Sequence, residues 1–104
     1  LHPSKAKGNR LERLVVQTLR ESGLHATRCW GSDGRSMGLP EQVDVVLDSN
    51  DLRITLQVKS RKKLGKIVRP DTEVVDCQVI KEDRGDIFFV MEISKFVEIL
   101  KHAH

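Results

Sequence analysis

Two runs of residues, 42–48 and 52–60, flank the connector Ser49-Asn50-Asp51, and the pattern specifies a β-hairpin. The second run alternates. Leu52, Ile54, Leu56 and Val58 point one way; Arg53, Thr55, Gln57 and Lys59 point the other. The connector has the residue types of a turn. The first run, Gln42 to Asp48, is apolar except where Asp44 sits between Val43 and Val45. A carboxylate in that setting is costly to bury without a partner. The hairpin brings the two runs side by side, so Asp44 can lie near Gln57 and Lys59.

One carboxylate, one amide oxygen and one ammonium make a chemically specific cluster. Mg²⁺ prefers hard oxygens and keeps several of its waters. Asp44 supplies a charged oxygen, Gln57 a neutral one, and the backbone carbonyl of Val58 a third. Lys59 can orient a water or offset charge on a phosphate. Hydrolysis of a phosphodiester by an activated water is the matching reaction. Glu12, on a helix packed against the sheet, could complete the metal shell. The competing reading is a structural ion pair between Asp44 and Lys59, a common arrangement on neighbouring strands.

The rest of the chain reads as α/β. Residues 9–22 have apolar side chains at helical spacing (Leu11, Leu14, Val15, Leu19), with Glu12 beside the stripe and Gly23 as the stop. Residues 25–30 read as a strand, and 31–40, with three glycines and Pro40, as a mobile functional loop carrying Arg35. Residues 61–76 read as broken helix around Pro70. Strands are expected over 77–82 and 86–93, then a helix over 95–102 capped by Ser94. Residues 1–7 are expected to be a flexible lead-in. The order of elements implies a single domain over 1–104, built as helices around a mixed sheet.

Composition narrows the function. With 104 residues, 38% hydrophobic and 32% charged, the chain has no run long enough for a membrane span and no signal-like start. Cys29 and Cys77 are too far apart for a C-x-x-C pair and read as free thiols of a reducing, cytoplasmic compartment. The net charge of +3 is unevenly spread: 14 basic and 7 acidic residues over 1–69, against 4 and 8 over 70–104. Arg61, Lys62, Lys63 and Lys66 follow Lys59 directly. Such clusters neutralise nucleic-acid phosphates. With Lys5, Lys7 and Arg10 near the start and Arg35 in the loop, they are the candidate DNA contacts. A solvated polar face is the plainer reading of such a run.

Trp30 is expected in a core or interface, or else beside the loop and against DNA or a second subunit. Phe88 to Met91 is too apolar for a half-exposed strand, which implies cover on both faces or a dimer interface.

The residues also resemble a family. Lys7-Gly8-Asn9-Arg10-Leu11-Glu12-Arg13-Leu14-Val15 is similar to the K-G-x-x-x-E-R-x-[LV] opening of archaeal-type Holliday junction resolvases. A Gly31-Ser32-Asp33-Gly34 loop, the Val43 to Val46 strand and Gln57-Val58-Lys59-Ser60 follow in the family's order. These enzymes belong to the PD-(D/E)XK nucleases, and the likeness covers roughly residues 5–63. It implies a restriction-endonuclease-type α/β fold in three layers, with a central mixed five-stranded sheet. It also implies a homodimeric, Mg²⁺-dependent endonuclease (Mn²⁺ able to replace the Mg²⁺) that nicks two strands of a four-way DNA junction. Glu12, Asp44 and Gln57 match the family's metal-binding acids, Lys59 its catalytic lysine, and Ser32 a loop serine that assists cleavage. Gln57 departs from the usual Glu, which removes a charge from the cation site. The alternatives are another PD-(D/E)XK nuclease or nickase, separated by its substrate, and a catalytically weak DNA-binding module of the same fold.

Overall fold

A computed structural model describes residues 3–102 in two units, Leu1–Ser60 and Arg61–His104. In the first, α1 (Pro3–Glu21) leads to β1 (His25–Arg28), two short 3-10 turns (Trp30–Ser32 and Gly34–Met37), β2 (Val45–Ser49) and β3 (Leu52–Leu56). In the second, β4 (Cys77–Lys81) pairs with β5 (Ile87–Met91), followed by α2 (Ile93–His102). Lysines at 5 and 7, expected in a flexible lead-in, are instead in the first turns of α1. A proline is well suited to open a helix, because the first N–H has no partner to lose.

The helix ends as the glycine predicts. Gly23 takes a φ of 87°, its N–H bonds the Arg20 carbonyl at 3.0 Å, and the Leu24 N–H bonds the Leu19 carbonyl at 3.0 Å. Those two bonds are the Schellman closure. The buried stripe of α1 is Glu12, Val16 and Leu19, while Leu14 is exposed. Glu12 is therefore on the buried face, one step round from the expected stripe.

The three-stranded sheet has the order β1-β2-β3, antiparallel throughout. Ser49 pairs with Leu52, so the hairpin turn is Asn50-Asp51, with Asn50 at a φ of 53°. Asparagine tolerates that left-handed conformation better than most residues. Ala26, Arg28, Val45 and Leu47 share one face by register. On the other face, Cys29, Val43 and Val46 form a small core closed by Met37 and Leu39 of the loop. β2 is thus covered on both sides, and Val45, Val46 and Leu47 are fully buried.

The loop after β1 is folded rather than open. Gly34 is buried in it; a Cβ there would run into the Pro40 carbonyl and the Val43 side chain. Gly34→Ala should therefore cost about 1–3 kcal/mol, the range for overpacking, seen as a lower urea midpoint with an unchanged slope.

One mixed five-stranded sheet is not what the described residues form. There are two sheets, of three and two strands, and every pairing is antiparallel. β3 ends at Leu56 rather than 60, and 57–76 adds no strand. Beyond Ser60 the stretch carries the basic run, Gly65 and Pro70, with no period-two apolar pattern to build a ladder. Instead of broken helix it has single turns either side of Pro70, closed by Val68 and Arg69 N–H on Gly65 and by Val74 and Val75 N–H on Asp71.

In the second unit, α2 begins two residues before the expected start. Ser94 is inside it, and its hydroxyl donates to Glu92 at 2.6 Å instead of capping. Val97 and Leu100 are buried, as the helical spacing implies. Val79, Ile87, Phe88 and Phe89 are exposed within their sheet.

Candidate active site

Asp44 lies at the head of β2 rather than in its middle. Its carbonyl accepts the Cys29 N–H at 2.9 Å, and its own N–H bonds the Leu56 carbonyl at 2.9 Å. Val45 is also registered opposite Leu56, so two residues face one. This is a β-bulge, a device that re-aims a side chain at the end of a ladder. The Asp44 carboxylate turns to the other strand: Oδ2 accepts the Val58 N–H at 2.7 Å. That bond ties the aspartate to the peptide between Gln57 and Lys59. Among the described residues no ion pair joins Asp44 to Lys59. The ion-pair reading is thereby removed. Gln57 and Lys59 are exposed, and Val58 is half-buried.

A second polar group lies where α1 meets the loop. Glu12 is 5% exposed. Its Oε1 accepts the Ser32 hydroxyl at 2.5 Å and the Arg28 Nε–H at 3.1 Å. The same guanidinium donates to Asn9 Oδ1 at 2.9 Å and reaches Ser32 Oγ at 3.4 Å. Ser32 sits at a φ of 56°, unusual for a residue with a side chain. The Arg28 bridge and the Glu12 bond hold it there.

Cys29 is buried just beyond the end of β1. Burial pushes its thiol pKa up, and the charges of Asp44, Asp33 and Glu12 push it further. The buried sulfur donates to Met37 Sδ at 3.7 Å.

Among the described residues no three His, Cys, Asp or Glu side chains gather as a metal centre. A cation here would need the neutral oxygens of Gln57 and Val58 and its own water. That donor set suits Mg²⁺, which binds few protein groups and dehydrates reluctantly. The residues present fit the ion at the Asp44–Val58 end. Glu12 is engaged by Arg28 and Ser32.

The sequence profile of the archaeal Holliday junction resolvases, Hjc, matches residues 3–95. The chain belongs to this family. The crossover junction endodeoxyribonuclease Hjc of Sulfolobus acidocaldarius is 29% identical over 100 residues, covering 94% of this chain and 68% of that protein. No solved structure matches the chain. The expectation of a Holliday junction resolvase, an endonuclease of recombination and repair, is therefore met.

Reading for a resolvase from sequence alone misses Arg28 and Asn9. The signal is present: Arg28 shares a strand face with Ala26, which is 1% exposed, and a cation on a core face requires a partner. Trp30 is 85% exposed, so it is not a core residue and faces outward beside the loop. Arg35 is exposed, but Asp33 grips it through three side-chain bonds of 2.6–3.0 Å, with Glu41 at 3.8 Å. That grip holds the Asp33 carboxyl below its ordinary range. Lys7 and Arg10 are exposed on α1; Lys5 is on α1, with its side chain outside the described part. Arg61, Lys62, Lys63 and Lys66 are exposed in the second unit. No helix among the described residues is long and apolar enough to cross a membrane.

Proposed function

We propose that this resolvase is a single nuclease domain over 1–104 that cuts four-way DNA junctions in the cytoplasm as a homodimer, with Mg²⁺ held by Asp44, Gln57 and Val58, and by Glu12 once it is released from Arg28 and Ser32. The observation that carries the reading is the Asp44–Val58 bond, which joins the aspartate to the Gln57-x-Lys59 segment within a chain of this family. Bound Mg²⁺ would supply Lewis-acid activation of water and charge neutralisation at the phosphate. The chain's own parts do the rest. Asp44 brings the charge, and the Val58 peptide fixes its carboxylate. Lys59 is exposed and has no acidic partner among the described residues, so it is free to meet the negative charge that grows on the scissile phosphate. Ser32 is presented by the loop. Lys5, Lys7, Arg10, Arg35, Arg61, Lys62, Lys63 and Lys66 hold DNA through phosphates, which carry no sequence information.

A twofold dimer matches a substrate with two nearly symmetric scissile positions. The exposed Val79, Ile87 and Phe89, on the paired strands β4 and β5, offer an apolar surface for it.

The test is cleavage of an end-labelled mobile four-way junction and of linear duplex, in Mg²⁺ and in EDTA. Junction-selective cutting lost in EDTA is expected. Cutting of duplex alone would favour another PD-(D/E)XK nuclease, and binding without cutting would favour the DNA-binding module. Gln57→Glu should keep cutting and lower the Mg²⁺ concentration for half-maximal rate, since it restores a charge to the site. An unchanged Mg²⁺ titration would remove Gln57 from the cation shell.

A further inference from the structure

A groove of about 450 Å³ runs between α1 and β1, lined by Arg13, Val16, Gln17, Arg20, Thr27 and Arg28. No carboxylate is among these lining residues. Arg13, Gln17 and Arg20 follow one another at i, i+4 and i+7, so they make one stripe along the helix, about 10 Å long at 1.5 Å per residue. Opposite that stripe is the open edge of β1, which pairs with β2 alone among the described residues.

The cations of this groove differ in what they are free to do. Arg28 is tied to Glu12, Asn9 and Ser32, so its charge is balanced. Arg20 gives its Nε–H to the Ala26 carbonyl at 2.8 Å. That bond fixes the guanidinium on the strand edge and leaves its terminal N–H groups for another acceptor. Neither Arg13 nor Arg20 has an acidic partner among the described residues. Gln17 lies between them, its amide donating to Glu21 at 2.9 Å. A guanidinium already held in place gives up less freedom when it binds an oxyanion in its fork.

We infer that this groove seats the phosphodiester backbone of a DNA strand, with Arg20 and Arg13 as its phosphate contacts and Gln17 as a neutral donor between them. The inference rests on the junction-cutting reading and adds a binding line away from Asp44. Arg28 forms the wall nearest the loop, so a strand lying here rests against the residue that holds Glu12 and Ser32.

The experiment measures binding of the full chain to a fluorescent four-way junction by anisotropy across a series of salt concentrations. Removing one phosphate-binding cation should lower the slope of log K against log salt by about 0.9. Arg20→Gln should flatten the slope by about that amount, Arg13→Gln with Arg20→Gln by about twice as much, and Arg20→Lys should restore most of it. Weakened binding with an unchanged slope, or wild-type binding in the double variant, overturns the proposal and leaves Arg20 as a cap on the β1 edge. If Arg20→Gln does not fold, Gln17→Glu decides: it keeps the Arg20–Ala26 bond and should weaken binding severalfold at low salt. Unchanged affinity there also overturns the groove. Wild-type cleavage of the junction is scored in parallel. Absence of the groove effect with cutting intact refutes only the groove, whereas a wild-type chain that neither binds nor cuts refutes both readings.

Discussion

Cleavage of a four-way junction should fall about a thousandfold or more in Asp44→Asn and in Lys59→Ala, while junction affinity stays within a fewfold of wild type. Asn keeps an oxygen for the Val58 N–H, so the bulge and the hairpin end are preserved and only the charge is removed. Lys59 is exposed and pairs with no acidic side chain among the described residues, so its truncation costs the fold nothing measurable. Rates from a denaturing gel and affinities from anisotropy separate the two effects. A Lys59→Ala protein that cuts at the wild-type rate would remove the catalytic assignment at a stroke.

The second large effect is on stability. Arg28→Met should lower the unfolding free energy by about 2–4 kcal/mol, because it leaves the buried Glu12 carboxylate with only the Ser32 hydroxyl beside it. The Glu12 side chain is 6% exposed and that of Arg28 28%, so water cannot stand in for the guanidinium. Urea unfolding followed by far-UV circular dichroism gives the number. Adding Glu12→Gln to Arg28→Met should recover part of the stability, and the double-mutant cycle isolates the pair from the packing of the methylenes. Purely additive effects would show that the two residues stabilise the fold independently.

What the sequence discloses follows the strength of its local signals. The Asn50-Asp51 turn, the Gly23 helix stop and the α2 core residues Val97 and Leu100 come from period and turn chemistry, which are properties of neighbouring residues. The starts and ends do not. Pro3 can open a helix as readily as precede one, and 57–60 alternates like a strand but leaves the ladder once Asp44 captures the Val58 N–H. That capture is a tertiary event. The joining of strands into one sheet is also unreadable, because pairing partners outside a hairpin leave no local mark. At the site, the hairpin alone brings Asp44 and the Val58 peptide together. Glu12 reads as lying beside the buried stripe, because a glutamate on an apolar face counts against itself until its partner is known. Arg28, that partner, is sixteen residues away, and no periodicity links them.

A hydroxyl has a single hydrogen to give. Ser32 directs its own at Glu12, so toward any incoming oxyanion it shows only lone pairs, which repel. The serine can assist a phosphate only after its rotor swings off the carboxylate, leaving Arg28 to hold Glu12 alone. In the resting protein the Ser32 hydroxyl hydrogen is therefore committed to Glu12.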